Sequence, residues 1–158
     1  MDTIIKVHLF FFLAYIFGGG CAEKLPGSNK LNLKINMVKP YSWINLMPGM
    51  IPSFHFSCEV LIQNNGGEPV ENLQLQRVTV YEDTLELLKF KPEFINRKDP
   101  SNNNIQPEEL TEFSVSAPGK IKIDNLKKVE VINLLLYFTS MDKPFIYKID
   151  NVKIERVY

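Results

Sequence analysis

From residue 31 onward, apolar and polar side chains alternate with a period of two along most of the chain. Successive side chains of a strand point to opposite faces, so this pattern predicts strands with one buried face. The clearest case is residues 53–63, SFHFSCEVLIQ, where the apolar positions are Phe54, Phe56, Cys58, Val60 and Ile62. Residues 31–39, LNLKINMVK, alternate in the same way, and we expect a half-buried strand there.

Further short strands are predicted between clusters of turn-forming residues. We expect them at residues 41–46, 70–81 and 85–91, on both sides of the Pro118-Gly119 turn, and at 145–157 as an exposed edge. The change of phase near Gln76 and Arg77 indicates a bulge, and the phase also changes around Asp150 and Asn151. Residues 129–139, VEVINLLLYFT, are apolar at both alternating sets of positions, which predicts a central strand covered on both faces.

Residues 91–109 contain three prolines and four asparagines and are predicted to be mostly loop. About eight short strands without a helical pattern after residue 30 predict an all-β fold, either a sandwich or a barrel. We favour the sandwich because a strand that is apolar on both faces is difficult to place in a small single-sheet barrel. A chain of 158 residues is long enough for one core and short for two, so we expect one β-sandwich domain over residues 31–158.

The segment VLIQNNGGEPVENLQL contains a turn signal between two alternating stretches, and we expect the strands on either side of it to pair. The segment resembles the strand, Asn-Gly turn and strand of bacterial immunoglobulin-like modules. This resemblance implies an immunoglobulin-like antiparallel β-sandwich, but no antibody-like disulfide, because the Cys, Trp, Cys spacing is absent. The residues that carry the resemblance are Val60, Ile62, Asn64, Asn65, Gly66, Pro69, Val70 and Leu73.

The first 20 residues have the three parts of a secretory signal peptide: a lysine near the start, an apolar stretch LFFFLAYIF at residues 9–17, and three glycines. A membrane-spanning helix needs roughly 20 apolar residues, and this stretch is shorter. Gly19-Gly20-Cys21 resembles the lipobox of bacterial lipoproteins. An ordinary cleaved signal and an uncleaved buried helix remain the alternatives.

The lipobox resemblance implies that residues 1–20 are removed, that Cys21 carries the acyl chains, and that residues 21–30 form a lipidated tether. Ala22 after the cysteine resembles the outer-membrane side of the usual sorting rule, which implies a lipid-anchored outer-membrane location in a bacterial cell envelope. With Cys21 acylated, Cys58 has no partner for a disulfide. We therefore expect it to be a small buried apolar residue.

Charge and composition exclude several classes of function. Eighteen Lys and Arg balance 18 Asp and Glu, so no basic stripe is available for nucleic acid. After removal of the signal peptide, His55 is the remaining histidine, and His55, Ser57 and Glu59 lie on one strand face without converging. We therefore expect no enzyme and no cofactor.

Two segments contain residue types that bind metal ions in other proteins. Asp99, Ser101, Asn103 and Glu109 supply oxygen atoms, but an EF-hand calcium loop needs Gly and Glu where this loop has Asn104 and Leu110, so we interpret it as an ordinary loop. Met47, Met50 and His55 are ligand types that suit Cu(I), and their segment resembles the periplasmic copper chaperone family. That family needs a further His-x-Met pair, which this sequence lacks, so we predict no metal site.

The segment YSWINLMPGMIP at residues 41–52 is unusually apolar for a turn region. If exposed, it forms a binding patch for a sugar or a protein; if buried, it closes one end of the core. We expect a lipid-anchored, non-enzymatic binding or assembly module with a protein partner in the cell envelope; the alternative is a periplasmic carrier of carbohydrate or copper(I). The candidate patch consists of Tyr41, Trp43, Met47, Met50 and Ile51.

Overall fold

The computed structural model describes residues 31–123, 126 and 128–158, so the predicted signal peptide, tether and Cys21 lie outside the described residues. The described chain is all-β. None of its residues forms a helix long and apolar enough to cross a bilayer. The strands are β1 (Leu33–Asn45), β2 (Ser53–Asn64), β3 (Gln74–Glu82), β4 (Leu85–Phe90), β5 (Glu93–Asn96), β6 (Leu110–Ser116), β7 (Ile121–Lys122), β8 (Val131–Ser140) and β9 (Lys143–Val157).

The strands form a curled sheet with the hydrogen-bonded order β4-β3-β8-β9-β1-β2-β6-β5, and β7 lies against β2. One layer contains β1, β2, β6 and β5; the other contains β4, β3, β8 and β9. When the two-residue β7 is left out, β1, β2, β6 and β5 correspond to strands A, B, E and D of an immunoglobulin-like sandwich. Strands β4, β3, β8 and β9 correspond to its strands C′, C, F and G. The predicted all-β sandwich fold is therefore confirmed.

Strand β9 joins the two layers. Its first part pairs antiparallel with β8, and its last four residues pair parallel with β1, from Ser42 opposite Ile154 to Asn45 opposite Val157. Asn151, with a φ of 61°, marks the predicted phase change in β9. Because β9 lies between β8 and β1, the expectation that it is an exposed edge is wrong; the edges of the sheet are β4 and β5.

The core lies between the two layers and follows the alternation of the sequence. On β2, all five predicted inward residues are buried, from Phe54 to Ile62. Cys58 is 4% exposed, and burial raises the pKa of its thiol to about 12, so this side chain behaves as a small apolar residue. The facing residues of β8 are Ile132, Leu134, Leu136 and Phe138.

Four phenylalanine rings connect the layers. Phe145 of β9 stacks on Phe138 of β8, with ring centroids 5.1 Å apart. Phe138 also meets Phe94 of β5 edge to face at 5.8 Å. Phe94 in turn stacks on Phe113 of β6 at 4.4 Å. Phe138 and Phe94 belong to different layers, so their contact is a direct aromatic link across the sandwich.

The predicted separate strand at residues 41–46 is instead the second half of β1. Between the pairs Val38 opposite Glu59 and Tyr41 opposite Ser57, β1 uses one residue more than β2. This bulge places Lys39 at a φ of 52° and Pro40 beside it. A bulge takes up a residue without ending the strand, so β1 continues past the proline.

Strands β2 and β3 do not pair, and the expectation of a hairpin across residues 64–69 is wrong. β2 pairs with β1 and β6, whereas β3 pairs with β8 and β4 in the other layer. Buried Asn64 fixes the crossing: its Nδ2 donates to the carbonyl oxygens of Glu68 at 2.8 Å and Ile105 at 3.2 Å, and its Oδ1 accepts from the Gly66 N–H at 2.9 Å. These bonds hold the turn against a distant loop instead of a neighbouring strand.

Residues 91–109 are mostly loop, as predicted, and contain the short strand β5, which pairs with β6 from Glu93 opposite Ser116 to Asn96 opposite Phe113. One further expectation is wrong. β8 is fully buried on one face only, because Leu135 and Tyr137 on its other face are half-buried. The predicted bulge near Gln76 is confirmed by a register shift between Leu75 and Arg77.

The first and last residues of β1 mark the two ends of the sandwich. The chain enters β1 at Leu33, opposite Asn64, and we call this the tether end. The other end, where Asn45 lies opposite Ser53 and Val157, is called the distal end. At about 3.3 Å per residue, the 13 residues of β1 separate the two ends by roughly 40 Å.

Candidate functional site

The bulge in β1 determines which way Tyr41 and Trp43 face. Before the bulge, the odd-numbered residues of β1 pack against the core; after it, the even-numbered residues Ser42 and Ile44 are buried. The extra residue therefore turns Tyr41 and Trp43 to the outer face. Tyr41 is 43% exposed and Trp43 is half-buried.

Tyr41, Trp43 and His55 form a stack that we call the aromatic row. Trp43 and His55 are register partners on β1 and β2, and their rings stack with centroids 4.7 Å apart and planes at 8°. Tyr41 lies two residues before Trp43 on the same face and stacks on it at 5.0 Å and 29°. Cross-strand and same-face neighbours of this kind stabilise a sheet, so the row is a rigid surface.

Polar side chains lie within hydrogen-bond distance of both end members of the aromatic row, Tyr41 and His55. The Tyr41 hydroxyl donates a hydrogen bond of 2.8 Å to the carboxylate of Glu155, and this bond, together with desolvation, raises the pKa of Tyr41. His55 Nε2 lies 3.0 Å from the hydroxyl oxygen of Ser53. Burial lowers the pKa of His55, and the charge of Lys120 lowers it further.

The remaining patch residues lie in the turn between β1 and β2, residues 46–52, which we call the apolar turn. The Met50 N–H donates to the Met47 carbonyl oxygen at 3.1 Å across Pro48 and Gly49, whose φ is 79°. Proline followed by a glycine of positive φ is the sequence preference of a type II turn. The turn exposes 43% of Met47, 47% of Met50 and 65% of Ile51.

The candidate patch is thus two adjoining features at the distal end. The aromatic row uses ring faces for its own stacking contacts, which leaves less ring face for a sugar. The apolar turn extends three large apolar side chains into solvent. Rigid aromatic groups beside exposed apolar side chains are typical of protein-binding surfaces. The geometry therefore fits a protein partner better than a carbohydrate at this end.

Asp99 and Glu59, which the sequence offered as a possible metal ligand and a possible catalytic group, have partners within the protein. In the asparagine-rich loop, Asp99 Oδ1 accepts from the N–H and the hydroxyl of Ser101 at 3.1 and 2.7 Å. Glu59, on the same face as His55, forms an ion pair with Arg97, which also pairs with Glu112 at 2.8 Å. Within residues 31–123, 126 and 128–158, no three His, Cys, Asp or Glu side chains are grouped to share a metal ion.

Sequence reasoning did not assign His55 or Glu155 to the patch. Glu155 lies 114 positions from Tyr41 in the chain and meets it only because β9 runs parallel to β1. From the sequence, His55 was one of several polar residues on an outward face and a candidate copper ligand beside Met47 and Met50. The signal that identifies it is the pairing register of β1 and β2, which places it opposite Trp43.

Protonation of His55 is expected to quench the fluorescence of Trp43, the single tryptophan of the chain. The two rings stack at 4.7 Å, and an imidazolium accepts an electron from excited indole more readily than neutral imidazole does. Because burial lowers the pKa of His55 below its ordinary value of 6.5, emission is expected to fall with a midpoint below pH 6.5. The measurement is an emission titration between about pH 5 and pH 8.

The same shift has a consequence for stability. As the pH falls, His55 is protonated in the unfolded chain before it is protonated in the folded protein. The stability of the fold that depends on neutral His55 is therefore complete above pH 6.5 and is lost as the pH falls from 6.5 through the folded-state pKa.

A His55→Gln variant is the control for the fluorescence titration, since it should abolish the transition. A titration that is unchanged in this variant would contradict the assignment to His55.

The sequence matches no protein-family model and no curated protein.

Proposed function

We propose that the chain is a lipid-anchored, non-enzymatic module of the bacterial cell envelope that binds or assembles with another envelope protein through its distal end. The observation that carries this proposal is the aromatic row beside the exposed apolar turn. Both lie at the end of the sandwich opposite Leu33, where the chain enters the fold.

The anchoring part of the proposal rests on Gly19-Gly20-Cys21, outside the described residues. Each acyl methylene buried in a membrane contributes about 0.8 kcal/mol, so several chains make attachment effectively permanent. An anchor at Cys21 would be followed by the tether and then by β1. The distal end lies roughly 40 Å from Leu33, the first residue of β1.

The apolar turn is the natural contact point for a partner in this arrangement. Met47, Met50 and Ile51 are exposed at an end of the sandwich where the chain itself provides no cover within the described residues. Methionine side chains adapt to irregular surfaces, and the rigid Trp43 beside them provides a large contact area. Burial of these groups under a partner removes apolar surface from water, which favours association.

Photo-crosslinking in cells is expected to distinguish the two ends. A photoreactive amino acid at Met50 should give a discrete crosslinked protein, whereas the same probe at Asp142, in the exposed turn between β8 and β9 at the tether end, should not. A Trp43→Ala substitution should weaken the Met50 crosslink several-fold, with circular dichroism confirming the fold. Equal crosslinking from both positions, or a Met50 crosslink that does not respond to Trp43→Ala, would refute the proposed surface.

A further inference from the structure

A second surface lies on the outer face of the other layer, formed by β3, β8 and β9. An open cleft of about 310 Å³ is present there, and residues of all three strands line it together with the turn between β3 and β4. The lining residues are Tyr81, Asp83, Thr84, Asn133, Leu135 and Lys148. None of them belongs to the aromatic row or the apolar turn, and the cleft lies on the other layer of the sandwich.

The floor of the cleft explains why β8 is apolar on both faces. Leu135 points away from the core, between its register partners Thr79 on β3 and Lys148 on β9. Leu135 is half-buried and lines the cleft. An outward leucine surrounded by polar side chains provides an apolar floor with a polar rim.

The polar groups of the rim differ in whether they already have hydrogen-bond or ion-pair partners within the protein. Lys148 Nζ lies 2.7 Å from Asp150 Oδ1, so its charge is paired. Asn133 Oδ1 accepts from the Asn151 N–H at 3.1 Å, which leaves the amide hydrogens of Asn133 as donors. Within the described part of the chain, the Asp83 carboxylate and the Thr84 hydroxyl have no hydrogen-bond or ion-pair partner.

Asp83 lies in the turn between β3 and β4 in the left-handed backbone region. Asp83 has a φ of 50° at the first position of a two-residue turn between Glu82 and Leu85. Glycine adopts this conformation without a steric penalty, and other residues adopt it at some energetic cost. The aspartate at this position keeps a carboxylate at the edge of the cleft.

Tyr81 supplies the aromatic surface. The neighbouring Tyr137 ring is covered by the guanidinium of Arg77, whose carbon lies 4.0 Å from the ring centroid. Tyr81 takes part in no ring stacking among the described residues. Desolvation, together with a hydrogen bond to the neighbouring Tyr137 hydroxyl, raises the pKa of Tyr81.

We propose that this cleft binds a neutral sugar ring. A pyranose has an apolar C–H face that fits against Leu135 and Tyr81, and it has hydroxyl groups that donate to the Asp83 carboxylate and accept from the Asn133 amide. The pairing of Lys148 with Asp150 leaves no excess positive charge to attract an anion. The cleft volume is at the lower end of the range for small-molecule sites, which suits one ring or two.

Binding is tested with the full chain purified in a detergent without sugar headgroups, on a printed array of neutral and charged glycans. The strongest neutral oligosaccharide is then titrated by calorimetry. Asp83→Asn should weaken its binding about tenfold or more, because a charge-assisted hydrogen bond is lost. Asp142→Asn is the matched control, since Asp142 also lies in a two-residue turn at positive φ, 62°, and should leave the affinity unchanged.

A second variant, Leu135→Lys, places a charge on the floor of the cleft and should abolish binding while circular dichroism stays unchanged. The proposal is overturned if no neutral glycan binds at millimolar concentration, or if the array retains charged glycans alone. Affinity that is the same in Asp83→Asn and Leu135→Lys as in the unmodified chain would also overturn it, because the sugar would then bind elsewhere.

Discussion

A Cys21→Ser variant is expected to leave the membrane fraction and appear in the soluble fraction. In the lipoprotein family that Gly19-Gly20-Cys21 resembles, the acyl chains are attached through the cysteine, and a serine in its place removes them. Loss of two or more chains at about 0.8 kcal/mol per buried methylene should reduce membrane partition by at least about a hundredfold. Membrane fractionation followed by mass spectrometry of the N-terminal peptide measures the change.

A Cys58→Ala variant is the matched control for loss of a thiol. Cys58 is buried in the core, with its pKa raised to about 12, so its replacement should leave the protein in the membrane fraction. An unmodified Cys21 in the wild-type protein, or wild-type material that is already soluble, would contradict the anchor. The crosslinking and glycan experiments do not depend on this result, because they concern the described domain.

The features of the fold that depend on strand alternation alone could be predicted from the sequence. The alternation on β2 predicted the five buried side chains from Phe54 to Ile62, because strand geometry sends every second side chain to the same face. The phase change near Gln76 likewise predicted a bulge, since an extra residue reverses the alternation. These features need no knowledge of which strands are neighbours.

The orientation of the patch was not accessible in the same way. Tyr41 and Trp43 continue the odd-numbered positions of a strand whose earlier odd-numbered residues face the core, so a regular strand would have buried them. The bulge at Lys39 reverses the faces, and it occurs beside Pro40, after which the sequence predicts a new strand. Whether this segment was core or surface therefore depended on one backbone irregularity.

Strand neighbours depend on long-range pairing, which a turn motif does not determine. The Asn-Gly turn after Asn64 resembles a hairpin connection, but the bonds of Asn64 and of Val70 with Ile105 direct the chain into the other layer. The cleft has the same origin: Tyr81, Leu135 and Lys148 are far apart in sequence and adjacent through the register of β3, β8 and β9. The spacing of these residues along the sequence predicts neither the strand neighbours around Asn64 nor the lining of the cleft.

Phe138→Ala is expected to produce the largest loss of stability in the domain. Phe138 is fully buried, stacks on Phe145 and meets Phe94 across the two layers. Truncation of a buried phenylalanine removes its transfer free energy and leaves a cavity, which together lower the free energy of unfolding by about 3–5 kcal/mol. Small domains have about 5–15 kcal/mol in total, so the variant should be close to the limit of folding.

Urea unfolding monitored by far-ultraviolet circular dichroism and by Trp43 fluorescence measures this loss and shows how the layers are coupled. Trp43 lies on β1, in the layer opposite Phe138, so the two probes should give the same lowered midpoint if the sandwich unfolds as one cooperative unit. Ile146→Ala is the matched control: Ile146 lies on the outer face of β9 and is 58% exposed, so its truncation should change stability by no more than about 0.5 kcal/mol. If Phe138→Ala lowered the circular dichroism midpoint and left the Trp43 transition in place, the layers would unfold separately. The aromatic link between Phe138 and Phe94 would then not couple them.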